Sequence, residues 1–125
     1  MTIRRDLDGL RVQLPGAPEI YLMIDGLKHW IPNPPTYNNL FRDWNNIVQD
    51  ANINTIDTGP QISDGAVLAQ ANGHAEVYLI DQGHKRWITS PGTMDRYTFS
   101  WSSINHVAPI LIASIPSGAN ITWPE

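Results

Sequence analysis

The stretch Glu76-Val77-Tyr78-Leu79-Ile80-Asp81-Gln82-Gly83-His84-Lys85-Arg86-Trp87-Ile88, followed by Ser90-Pro91, decides the fold because the chain carries it twice. The earlier copy is Glu19-Ile20-Tyr21-Leu22-Met23-Ile24-Asp25-Gly26-Leu27-Lys28-His29-Trp30-Ile31, followed by Asn33-Pro34, 57 positions before. Between positions 19 and 47, eleven residues recur at that offset: Glu19, Tyr21, Leu22, Gly26, Lys28, Trp30, Ile31, Pro34, Thr36, Trp44 and Ile47. The chain is an internal duplication. Two copies fall short of the three or more that an open solenoid needs. A closed pseudo-twofold domain over residues 1–125 is expected, with repeats at about 8–62 and 64–121.

Within each copy the residue types specify short strands. Leu10, Val12 and Leu14 alternate with Arg11 and Gln13, the period of a half-buried strand. Pro15-Gly16-Ala17-Pro18 ends it, and in the second copy Ala66 to Ala71 is closed by the hairpin signal Asn72-Gly73. Glu19 to Ile24 and Glu76 to Ile80 are rich in β-branched and aromatic residues and read as strands with apolar groups on both faces. Gly26 and Gly83 suit left-handed positions in bulged hairpins. Lys28 to Ile31 and Lys85 to Ile88 return as partner strands. Asn33-Pro34 and Ser90-Pro91 place an N-cap before proline, so a short helix is expected over 35–41 and over 92–97. Ile53 to Gly59 matches Ile112 to Gly118 at an offset of 59, so the second copy holds two extra residues around Ala108-Pro109. Ile110-Leu111-Ile112 reads as a buried strand. Residues 1–7 read as a lead-in arm, and the tail Ile121 to Glu125 echoes Ile62. The fold class is mainly β (β-rich α+β): two pseudo-symmetric repeats of short antiparallel strands, each with one short helix, sharing one core.

The pattern Tyr-Leu-x-x-x-Gly-x-Lys-(His/Arg)-Trp-Ile-x-(Asn/Ser)-Pro-x-Thr resembles bacterial tandem repeats of the type "VYLIDNGKKRWIPSPETF…W", closed by "IPTG". The residues that carry the resemblance are Tyr78-Leu79-Ile80-Asp81, Gly83, Lys85-Arg86-Trp87-Ile88, Ser90-Pro91, Trp101 and Ile115-Pro116-Ser117-Gly118. The first copy departs from it at Ile24 and Asp57. The resemblance spans nearly the whole chain. It implies an accessory or surface-recognition module and brings no catalytic role.

Composition narrows the function classes. The apolar fraction of 42% supports a core, while the charged fraction is only 16% and the net charge −4. No basic patch is present, which argues against nucleic acid. The most apolar run, Val107 to Ile115, is too short to span a bilayer and contains Pro109, so no membrane insertion is expected. There is no cysteine, which removes disulfides and thiolate chemistry. Met1 to Asp6 is not followed by an apolar segment, so no signal peptide is read. The compartment is left open between the cytoplasm and export without such a leader.

Catalytic and metal motifs are absent: there is no HExxH, P-loop, GxSxG or GxGxxG. His29, His74, His84 and His106 have no ligand spacing, and His29 and His84 read as surface or edge residues. No cofactor is expected. The expectation is a non-catalytic recognition module, with a glycan as the ligand. Trp30 and Trp87 are its candidate stacking residues, flanked by Lys28, Lys85, His29 and Arg86, with the turn carboxylates Asp25 and Asp81 nearby. Lys28 and Lys85 lie two residues before each tryptophan, on the same strand face. Trp44 and Trp101 read as core plugs. The alternative is a protein-interaction or structural module, acting through a homodimer or a larger partner.

Overall fold

The structure, a computed structural model, describes residues 2–123. Met1 of the lead-in arm and Pro124 and Glu125 of the tail lie outside the described residues. Each repeat folds as a four-stranded sheet. The first holds β1 (Arg11–Gln13), β2 (Ile20–Ile24), β3 (Leu27–Trp30) and β4 (Val48–Gln49), in the order β3-β2-β1-β4. The second holds β5 (Val67–Ala71), β6 (Val77–Asp81), β7 (His84–Ile88) and β8 (Ile104–Val107), in the order β7-β6-β5-β8. The β-rich, two-repeat architecture is as the sequence predicts. The sheets are mixed, however: three strands form an antiparallel meander, and the fourth joins the first in parallel.

The hairpins close with two-residue loops, Asp25-Gly26 and Gln82-Gly83, between the paired ends Ile24–Leu27 and Asp81–His84. All four loop residues have positive φ, at 59°, 76°, 52° and 74°. That is the type I′ geometry matching strand twist, so these hairpins are not bulged. Two helices follow, α1 (Pro34–Leu40) and α2 (Pro91–Arg96). Asn33 caps α1 by accepting the Thr36 amide at 2.9 Å, and Ser90 caps α2 by accepting the Thr93 amide at 3.1 Å. Proline at the first helical turn gives up an amide that would have had no partner there.

A 3₁₀ turn at Ile53–Thr55 leads into a return segment along the free edge of β3. Lys28 N donates to Asp57 O at 3.0 Å, Gly59 N to Lys28 O at 3.0 Å and Ile62 N to Trp30 O at 2.9 Å. The second repeat copies all three: Lys85 N to Pro116 O, Gly118 N to Lys85 O and Ile121 N to Trp87 O, each at 2.8 Å. An edge strand that would otherwise present unpaired amides is thus covered. The two extra residues of the second copy coincide with α3 (Pro109–Ala113), a third short helix. Ile110 and Leu111 are therefore helical and exposed, not a buried strand. Pro109 suits the first helical turn, which outweighs the β-propensity of an Ile-Leu-Ile run this short.

Leu22, Ile24, Ile31, Tyr37, Leu40 and Phe41 of the first repeat pack with Leu68, Val77, Leu79, Ile88, Met94, Tyr97 and Phe99 of the second in one core. The outer face of each sheet carries a smaller cluster. Val12 and Met23 cover Ile53 and Ile56 in the first repeat, and Ala69 and Ala71 cover Ile112 in the second. The apolar groups on both strand faces are thereby accounted for. The repeats join through an antiparallel bridge between Phe41 and Phe99, flanked by Arg42 N to Thr98 O at 3.1 Å and Ser100 N to Leu40 O at 2.8 Å.

Candidate functional site

Two surface grooves lie at equivalent places in the two repeats. The first, of about 330 Å³, is lined by Pro18, Glu19, Ile20, Trp30, Ile31, Pro32, Asn33, Pro34, Tyr37 and Trp44. The second, of about 280 Å³, is lined by Ala75, Glu76, Val77, Trp87, Ile88, Thr89, Ser90, Pro91, Met94 and Trp101. Every one of the ten positions in the first groove, advanced by 57, gives a position in the second. Five are identical: Glu19, Trp30, Ile31, Pro34 and Trp44 recur as Glu76, Trp87, Ile88, Pro91 and Trp101. The first volume sits at the small end of ligand pockets, ~300–1,000 Å³, and the second just below it.

Each groove has an indole from the end of the hairpin and an indole from the segment after the helix. Trp30 and Trp87 are each 38% exposed, while Trp44 and Trp101 are 46% and 48% exposed. Trp44 and Trp101 are therefore not core plugs. Trp44 Nε1 donates to Asn38 Oδ1 at 2.9 Å. Asp95 stands at the equivalent helix position, and Trp101 helps to hold its carboxyl below the usual value. Tyr37 stacks on Trp44 with centroids 3.9 Å apart and planes 25° apart, and among the described residues no other ring stacks on Trp44. Burial pushes the Tyr37 phenol up, so it stays protonated and donates to Asp43 O at 2.6 Å.

The other candidates from the hairpin lie apart from the lining of these grooves. Lys28 is buried, and its Nζ donates to Ile56 O at 2.8 Å from above the Tyr21 ring. Lys85 repeats this, with its Nζ donating to Ile112 O at 2.7 Å and lying over Tyr78. The shared strand face is as the spacing predicts, but each four-carbon stem carries its charge to the segment packed on that face. His29 is buried rather than at a surface edge; its ring nitrogens lie 2.7 Å from Pro60 O and 3.1 Å from Ile24 O. Arg86 joins the repeats, reaching both Asp25 carboxylate oxygens at 3.0 Å and Ala119 O at 2.8 Å. Asp81 accepts the Ser63 amide at 2.7 Å and the Ser63 hydroxyl at 2.8 Å.

Two features of the grooves went unread in the sequence. Among the described residues, Glu19 and Glu76 are the only charged ones lining them. Pro18, Pro32 and Pro34 make the first groove's rim stiff. Recurrence at offset 57 already marked Glu19 and Trp44, but it does not separate a conserved surface from a conserved core. Among the described residues no three His, Cys, Asp or Glu side chains gather in a metal-binding group. Among them, too, no helix is long and apolar enough to cross a membrane. Compared with family models, with curated proteins and with solved structures, the chain matches none.

Proposed function

We propose that this chain is a non-catalytic recognition module whose two indole-walled grooves each bind a saccharide. The observation that carries this reading is the ten-for-ten correspondence of the two grooves. Duplicated core positions need only be apolar. Here both copies keep two large indoles on the surface, where they gain less from burial than in the core. A pyranose ring offers an apolar C–H face that packs on an indole, while its hydroxyls find acceptors at the rim. Glu19 in the first groove and Glu76 in the second are suited to that role. With a carboxylate as the sole charge among the described residues of each groove, neutral sugars are favoured over anionic ones. Two sites on one chain also raise avidity toward a repeating polymer.

The test is a glycan array probed with labelled protein at two concentrations. Binding to one family of neutral sugars, lost with excess free sugar and lost in Trp30→Ala/Trp87→Ala, supports the reading. A blank array with folded protein counts against it and favours the second reading, a protein-interaction module. That reading rests on α3, where Ile110 and Leu111 are exposed with no counterpart in the first repeat. Sedimentation equilibrium, comparing wild type with Ile110→Ser/Leu111→Ser, detects homodimerisation through that helix.

A further inference from the structure

We propose that the two grooves are unequal, and that the buried Arg11 makes the first the tighter site by fixing Trp44 from beneath; this rests on the saccharide reading above. Trp44 sits on an irregular segment between α1 and β4, and ordering such a segment on binding costs affinity. The Arg11 guanidinium removes that freedom in advance. Nη1 donates to Asp43 O and Nη2 to Asn45 O, both at 2.9 Å. These are the carbonyls on either side of Trp44. Nη1 also donates to the Tyr37 hydroxyl at 2.5 Å, and Tyr37 is the ring stacked on Trp44. One side chain thus holds both flanks of the indole and its aromatic floor.

The second repeat lacks this clamp. Leu68 stands where Arg11 stands, since Arg11 pairs with Leu22 and Leu68 with Leu79 in the same register. Met94 replaces Tyr37 in the lining, and methionine is the most adaptable of the apolar side chains. Among the described residues no ring stacks on Trp101. The fold itself does not require arginine at this place, because a fully buried leucine serves the equivalent strand. Arginine is also the costlier choice: Arg11 is buried and its Nε has no hydrogen-bond partner. Burying a charge with an unsatisfied donor is unfavourable. Arg11 also faces the Asp43 carboxylate at 3.8 Å and lies over the Phe41 ring, but its two flank contacts and its Tyr37 contact act on Trp44, which lines the groove, so it is a positioning residue for that indole.

Isothermal titration of the full chain with maltotriose, cellotriose and chitotriose tests this. Two classes of site are expected for a sugar that binds. Trp44→Ala removes the tighter class, and Trp101→Ala removes the weaker. Arg11→Leu, which copies the second repeat, weakens the tighter class by about tenfold and leaves the weaker unchanged. The unchanged class is the internal control, since general loosening of the fold lowers both. Trp44 and Trp101 are exposed, so their variants decide the matter even if Arg11→Leu does not fold. Equal affinities at the two sites in wild type, or loss of the tighter class in Trp101→Ala, overturn the inference and leave the saccharide reading standing. Failure of all three sugars to bind, with none bound on the array, removes both.

Discussion

Phe41 of the first repeat and Phe99 of the second pair across the junction of the repeats, with ring centroids 5.7 Å apart and planes 21° apart. Both are buried, and both belong to the core that the two sheets share. The junction is therefore hydrophobic packing plus backbone pairing, and neither repeat buries its inner sheet face without the other.

Phe99→Ala should then destabilise the whole chain by about 3–5 kcal/mol, the cost of a large core truncation and its cavity. Urea denaturation followed by tryptophan fluorescence and by far-ultraviolet circular dichroism should give coincident single transitions. Two separated transitions, one shifted by the substitution and one not, would show that the repeats are independent.

Strands, hairpins and helix starts were legible because each is encoded locally. Tyr21 and Leu22 recur with their β-propensity, Gly26 with its positive φ, and Pro34 beside its cap Asn33. The parallel strands β4 and β8 were not, because a pairing between Val12 and Val48 is non-local and β4 is only two residues long. Trp30 and Trp44 illustrate the limit at the site. Both recur at the same offset, yet periodicity gives no face to a residue on an irregular segment such as Trp44. Lys28 failed for a different reason. Its backbone position was read correctly, but a flexible four-carbon stem placed its charge on Ile56 O rather than beside Trp30.

That placement gives the two lysines a structural role. Lys28→Met should orphan the Ile56 carbonyl beneath the return segment and cost about 1–3 kcal/mol. Lys85→Met should do the same at Ile112. Groove affinity, measured under conditions where each variant is fully folded, should stay within about twofold of wild type, well inside the tenfold step of 1.4 kcal/mol. A large loss of sugar affinity with unchanged stability would return the lysines to the binding site.

Trp30→Ala and Trp87→Ala should behave in the opposite way. Each indole is more than a third exposed, so removing it should change stability by only about 1 kcal/mol. Stacking of one ring on an indole face should be lost, weakening that groove by about tenfold, or 1.4 kcal/mol. Thermal unfolding and titration on the same samples separate the two effects. Collapse of the fold in both variants would make these tryptophans core residues after all.

Glu19 and Glu76 should set charge selectivity. A uronic acid carboxylate about 4 Å from either side chain meets a repulsion of about 1 kcal/mol in water, or about fivefold in affinity. Wild type should therefore bind a neutral oligosaccharide better than its uronate counterpart by that margin. Glu19→Gln/Glu76→Gln should erase the difference while keeping an acceptor oxygen at the rim. Persistence of the preference in the double variant would assign it to something other than these carboxylates.

Asp95 offers a pH-dependent test of the junction beside the second groove. Arg42 Nη2 lies 2.5 Å from Asp95 Oδ1, and Arg42 Nε donates to Phe99 O at 2.8 Å. The Arg42 hydrogen bond, helped by the bond from Trp101, holds the Asp95 carboxyl below its usual 3.8. A carboxylate depressed in the folded state stabilises it above the unfolded value, and that contribution fades as pH falls through the folded value. Asp95→Asn removes the charge but keeps an acceptor for Trp101, as Asn38 does for Trp44. Wild type should thus be more stable than Asp95→Asn by a constant margin from neutral pH down to about the unperturbed carboxylate value, and the margin should shrink only below it. Raising the ionic strength should narrow the margin too, because the pair is exposed. Equal stability of wild type and Asp95→Asn at neutral pH and low ionic strength would mean that Arg42 and Asp95 are not paired in solution.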